Sequence, residues 1–352
     1  MIYKCQFMFQ FLQLFISKLL LLLFCLFLIK AGYAQTSVGD DLLNKAQNSL
    51  VNSNLGSDLP PGPLEMVVIF AAGTSADVTA RILAERMSKY LNKTITVLNK
   101  PGGGGAIGYK YVASSKPDGR SFIWNSNSVS TAYYSGMMDI DYKSFDSVAR
   151  VSIELPAIVV SNSSQWKSLP ELLAYARANP ERLKVGNSGT GSHTHMASVA
   201  LFNSAGVQVT DVPFSASQVV PSLLGGHVDA LIQLPGAFVS HVQSGSLKVL
   251  AVLGSKREPL YSSVPNISEL GINLTGMDLW RGLAVPKGTP AKAISSLERA
   301  VELSSQSTEF INAGQKLGFL PAFMTSKDFS LLIAKDDAYI AKEMQALSLN
   351  KK

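Results

Sequence analysis

Past residue 34 the chain has no cysteine, because both of its cysteines, Cys5 and Cys25, lie in the opening stretch. A disulfide, a thiolate nucleophile or a cysteine metal site in the body is thereby excluded. Histidine is scarce as well. Only His193 and His195 are neighbours, and no Asp or Glu stands at zinc-like spacing from them, so no metal is expected. Charged residues make up 16% of the chain, and Lys and Arg are mixed with acids despite a formal net charge of +6. No basic stripe suits a phosphate backbone, so nucleic acid is not an expected partner. No Gly-x-x-x-x-Gly-Lys-Ser/Thr motif occurs, and no Gly-x-Gly-x-x-Gly follows the first expected strand, so no nucleotide cofactor is expected. After Ala34 no apolar run approaches membrane-spanning length.

One long apolar run does exist, over residues 19–29, with Lys4 and Lys18 before it and Gly32-Tyr33-Ala34 after it. That layout predicts a cleavable signal peptide over 1–34 and a periplasmic body. The alternative is a retained anchor, because only polar residues such as Gln10, Gln13 and Lys18 interrupt the greasy stretch. Either way the body is expected away from ATP and reduced nicotinamide. Residues 35–64 read as a polar extension with a short helix near 41–50, ending in Pro60-Pro61-Gly62-Pro63.

From there strands and helices alternate. Short strands are expected at 66–70, 95–98, 121–125, 158–160, 185–186, 210–213, 230–232, 249–252 and 282–285, with helices between them. Thr289 is placed as the cap of a helix starting at Pro290. Strand, glycine-bearing loop and helix in repeated order predict an α/β protein of two lobes, each a mainly parallel sheet flanked by helices. Lobe one is drawn from 65–155 and 285–352 and lobe two from 156–284, with crossings near 152–161 and 278–285. Such a layout leaves a cleft that can close on a small ligand by a hinge motion.

Two loops stand out. Phe70-Ala71-Ala72-Gly73-Thr74-Ser75-Ala76-Asp77 joins a strand end to a helix start, where unpaired N–H groups favour an anion, unless Ser75 or Asp77 is an ordinary cap. Gly186-Asn187-Ser188-Gly189-Thr190-Gly191-Ser192-His193-Thr194-His195 repeats that arrangement in lobe two. Facing each other, the two form a pincer for a carboxylate. Phe214 and Ser215, after a further strand, are candidates to cover the ligand and bond it. His195 is read as a ligand neighbour or loop brace, Gly102 to Gly105 as a close turn beside the cleft, and Trp280 as the tryptophan nearest the cleft. A serine hydrolase built from Ser188, a histidine and Asp229 is the enzymatic alternative, although the loop lacks the Gly-x-Ser-x-Gly elbow.

Several segments, in order, resemble the periplasmic solute-binding receptors of tripartite tricarboxylate transporters (TctC, or Bug receptors). They are Ala76-Asp77 with Thr79-Ala80-Arg81, Asn99 to Gly108, Pro117-Asp118-Gly119, Ser188-Gly189-Thr190 with His195-Met196-Ala197, Val212-Pro213-Phe214, Leu224 to Asp229 and Gly282 to Pro290. The resemblance implies a Venus-flytrap, type II-like monomer that is not an enzyme. It would hold a mono-, di- or tricarboxylate through amides, hydroxyls and waters without a salt bridge, and deliver it to a two-component membrane permease. A sensor docking on a membrane signalling protein would need the same cleft. Carried across, the ligand-facing residues are Ala72, Gly73, Ser75, Asp77, Ser188, Gly189, Thr190 and Phe214. The residues themselves add Thr74, His195 and Ser215. Ala71-Ala72-Gly73-Thr74 and Phe214-Ser215-Ala216 depart from the Pro-Pro-Gly-Gly and Tyr-Lys-Gly usual at those places.

Overall fold

The computed structural model describes residues 55–215, 217–274 and 278–346; the leader, its cleavage and the helix near 41–50 lie outside them. In chain order the first half runs β1 Leu64–Val68, α1 Ser75–Leu91, β2 Ile95–Asn99, α2 Ala106–Ala113, β3 Ser121–Ser126, α3 Ser128–Tyr134 and β4 Phe145–Glu154. Then come β5 Ala157–Ser161, α4 Leu169–Ala178, β6 Lys184–Asn187, α5 His193–Ser204, β7 Thr210–Pro213, α6 Val219–Leu224, β8 Ala230–Gln233, α7 Pro235–Gln243 and β9 Leu247–Val252. The chain ends with β10 Leu279–Pro286, α8 Ala291–Ser305, α9 Thr308–Leu317, β11 Leu320–Met324 and α10 Ser326–Ala346.

Two sheets result, ordered β11-β4-β10-β3-β1-β2 and β7-β6-β8-β5-β9. The expectation of mainly parallel sheets needs correction, because both are mixed. β1 pairs in parallel with β2 and β3, but β10 runs antiparallel to β3 and β4, and β11 to β4. In the second sheet β6 is parallel to β7 and β8, while β5 is antiparallel to β8 and β9. The physical cause lies in the crossings. β4 leads through Leu155-Pro156 straight into β5, and β10 brings the chain back, so these strands lack the helical crossover that parallel pairing needs. β10 belongs wholly to the first sheet, so the return falls before Leu279, earlier than the expected border at 284/285.

Alternation assigns each strand face its own core. Met66 and Val68 of β1 pack with Leu83 and Met87 of α1 and Leu297 and Val301 of α8. Val67 meets Tyr109 of α2 and Phe329 of α10 on the other face, where Ile69 just beyond the strand joins it. β5 divides likewise, with Ile158 and Val160 against the α4 and α5 side and Val159 against the α6 and α7 side. Burial of such side chains contributes about 1.5–3 kcal/mol each. The same alternation corrects the placement of Trp280. It is buried against Phe329 in an edge-to-face contact, and its Nε1 donates to Asp336 Oδ2 at 2.6 Å. It does not line the cleft. Thr289 does not cap α8 either, since its Oγ1 donates to the Pro286 carbonyl at 2.7 Å.

Candidate functional site

The carboxyl ends of β1, β3, β6 and β8 converge, with the end of β4 and the start of β10, on one cavity of about 530 Å³. Crevices at strand carboxyl ends are where open α/β sheets hold ligands. Its walls come from both sheets: Thr74, Ser75 and Ser128 from the first, Ser188, Thr190 and Gln233 from the second. The lobes touch at its rim, because a Cβ added to Gly236 at the start of α7 would lie 3.1 Å from Ser75 Oγ.

The first loop is built to present the start of α1. Gly73 adopts φ +80, a conformation that favours glycine. Thr74 is the N-cap, accepting from the Asp77 amide at 3.4 Å while its hydroxyl donates to the Ala71 carbonyl at 2.8 Å. Helix geometry leaves the N–H groups of Ser75 and Ala76 without intrahelical acceptors, and both residues line the cavity. Ala72 and Gly73 are exposed on the outside of the turn and do not line it.

Asp77 is turned inward rather than toward a ligand. Its Oδ2 accepts from the Gly73 amide at 2.9 Å and Arg81 Nε at 3.1 Å, and its Oδ1 from Asn99 Nδ2 at 2.8 Å. Burial opposes its charge, but the bonds from Arg81, Gly73 and Asn99 outweigh it and hold the carboxyl below its ordinary range. A depressed carboxyl stabilises the fold above its unfolded pKa, and that contribution is lost as pH falls through the folded value. Asp77→Asn is therefore expected to lose about 1–3 kcal/mol at pH 7 in urea unfolding. The deficit should shrink as pH drops below about 4. A deficit unchanged across that range would remove the ionised brace.

The second loop uses most of its amides internally, a correction to the picture of two rows of free main-chain donors. Ser188 N–H donates to Thr194 Oγ1 at 2.9 Å, Gly189 to Asn187 Oδ1 at 3.1 Å, Gly191 to His195 Nδ1 at 3.0 Å and Ser192 to the Gly189 carbonyl at 3.0 Å. Gly189 is thus a turn residue outside the lining set, and His195 braces the loop. Burial lowers the His195 pKa against the pull of Asp211, which suits a neutral ring accepting at Nδ1. Ser188, Thr190 and Ser192 line the cavity beside the first turn of α5, with Ser192 Oγ capping that helix by accepting from the His195 amide at 3.1 Å. Ser188 Oγ accepts from Gln233 Nε2 at 2.7 Å. Asp229 accepts from the Lys184 amide, at the opposite end of β6. The hydrolase triad weighed above is not assembled.

Phe214 and Ser215 lie outside the cavity wall. Phe214 is half-buried and packs against the cluster that holds Leu223 and Leu231, and Ser215 Oγ donates to Gln218 Oε1 at 2.8 Å. Ser217 lines the cavity in their place. The expected close turn at Gly102 to Gly105 does reach the wall, through Gly104.

Several wall residues had no sequence signal assigned to them. Asn127 accepts from the Trp280 amide at 3.1 Å and donates to Asp336 Oδ2 at 2.9 Å. Burial raises the Asp336 pKa to about 6. Arg281 Nε donates to Glu154 Oε1 at 2.9 Å, with both side chains nearly buried. The guanidinium carbon lies 5.3 Å from the Phe70 ring centroid, close enough for a cation–π contact. A lone Arg in the apolar run of β10 was the available signal. Among the described residues no group suited to a metal ion occurs, and no helix is long and apolar enough to cross a membrane.

Residues 79–349 match the model of the tripartite tricarboxylate transporter family receptor. BugT of Bordetella pertussis is 32% identical over 271 residues, covering 76% of this chain and 83% of its own. A TctC solute-binding protein from Polaromonas, solved without ligand, superposes with a TM-score of 0.71 at 31% identity, covering 82% of this chain and 99% of its own. An R. palustris protein solved with adipate gives a TM-score of 0.74 at 27% identity, covering 82% and 98%.

Proposed function

Since this chain belongs to the tripartite tricarboxylate transporter receptor family, we propose that it captures a small organic carboxylate in the cavity between its sheets and hands it to a two-component membrane permease from the periplasmic side. One observation carries this. The first turns of α1 and α5, one from each lobe, open onto the same cavity, with Ser75, Ser188 and Thr190 in its wall. Helix N-termini favour negative charge, and a carboxylate has an oxygen for each side. The full charges among the described wall residues, Arg281 and Glu154, are paired with each other, so no surplus acid repels an anion. The relative solved with adipate supports the same ligand class.

A ligand that binds only the folded, closed form must raise the melting temperature. In a screen of mono-, di- and tricarboxylates, an acid at a hundredfold its Kd contributes about 2.7 kcal/mol. That corresponds to a shift of roughly 3–5 °C for a protein of this size. No shift with any acid would remove the proposal. Co-purification of the liganded form with the permease tests delivery, and capture by a signalling protein instead would favour sensing.

A further inference from the structure

We propose that Arg281 sets the ligand's charge pattern, its Nη1 donating to a second carboxylate so that the cleft selects dicarboxylates over monocarboxylates, an inference resting on the carboxylate capture proposed above. Arg281 is 6% exposed, and its Nη1 is a buried donor without a partner among the described residues. A buried donor of a charged group left without an acceptor forfeits the hydrogen bonds it would make in water. An acceptor arriving with the ligand supplies the missing bond, and Arg281 lines the same cavity as Ser75, Ser188 and Thr190.

The strand geometry aims the side chain. Arg281 pairs with Ser152 of β4, yet its neighbour Gly282 pairs with Arg150, so β4 carries a bulge opposite them. Bulges re-aim side chains and recur beside functional sites. Glu154 then holds the Nε edge, fixing the plane of the guanidinium. An arginine has five donors on a rigid fork, so one carboxylate at Nε leaves the Nη1 edge for another. Because Glu154 cancels the formal charge, Arg281 acts as an oriented donor rather than a general attractor of anions. The wall also carries the apolar residues Phe70, Ala132, Met137 and Leu279, surface that suits a hydrocarbon spacer between two carboxylates.

The test uses the purified full chain and calorimetric titration with straight-chain diacids, each paired with the monoacid of the same length. Wild type is expected to bind its best diacid at least about tenfold tighter than the matching monoacid, the worth of one charge-assisted hydrogen bond. The double variant Arg281→Gln with Glu154→Gln keeps a side-chain pair without stranding a charge. It is expected to weaken the diacid about 10–100-fold and leave the monoacid within about threefold. Circular dichroism melting confirms that the variant is folded, and Arg281→Lys serves as a second probe if it is not. Equal affinities in wild type, an undiminished diacid preference in the folded variant, or equal losses for both acids would overturn the assignment. If no carboxylate binds the wild type, capture itself fails and takes this inference with it; selective loss can fail while capture stands.

Discussion

Gly236→Leu is expected to weaken ligand capture at least about a hundredfold while the ligand-free protein melts within a few degrees of wild type. Gly236 is the second residue of α7, on the second sheet's side of the cleft. A Cβ there would stand 3.1 Å from the Leu317 carbonyl oxygen, 3.1 Å from Ser75 Oγ and 3.3 Å from Ser75 Cβ. Next to it, the Pro235 Cβ would lie 2.5 Å from a Cβ placed on Gly318. These contacts join the lobes at the rim, so a leucine has room only when the rim is apart. A closing penalty of about 3 kcal/mol passes directly into affinity as roughly a hundredfold loss. The open form should bear the change easily, because leucine is a better helix former than glycine. Calorimetric titration with the best ligand measures the loss. Unchanged affinity would mean that the bound state does not bring α7 against α1.

Gly282→Val is expected to cost about 3 kcal/mol or more of folding stability, near the upper end for overpacking. Gly282 lies within β10 between β3 and β4. An added Cβ would sit 2.4 Å from Phe329 Cε1 and 2.6 Å from the Ala149 carbonyl oxygen. A ring can rotate, but the carbonyl belongs to the neighbouring strand and can move only if the sheet does. Phe329 also anchors α10, which carries Asp336 beneath Asn127 and Trp280. Damage should therefore reach the cavity floor next to Arg281. Urea unfolding gives the number, and a loss under about 1 kcal/mol would show that the sheet yields there.

Elements with strong local signals were legible in the sequence. The strand at Thr210–Pro213 falls where expected. The cap-rich loops at both strand ends read correctly as turns into helices, and Thr74, Ser75, Ser188 and Thr190 do meet at one cavity. β4 was not expected as a strand, because Asp146, Ser147, Arg150, Ser152 and Glu154 disturb its alternation. Those polar residues find distant partners: Arg150 donates to the Ala322 carbonyl and Glu154 accepts from Arg281. α3, Ser-Val-Ser-Thr-Ala-Tyr-Tyr, has few strong helix formers and is held by contacts such as Ser130 and Tyr134 to Asp337.

The misplaced site residues share a cause. Asp77 has the residue type and position of a ligand group, but a carboxylate in the first turn of a helix can equally fold back on its own loop, as it does on Gly73. Gly189 and His195 are likewise used inside their loop. Arg281 and Glu154 are 127 positions apart, so neither local pattern announced the pair.

The most direct test of joint capture is a crystal structure with the acid that gives the largest thermal shift. One carboxylate is expected within hydrogen-bonding distance of the Ser75 or Ala76 N–H and of the Ser188 or Thr190 hydroxyl together. Density for the acid against one lobe alone, or outside the cavity, would contradict it.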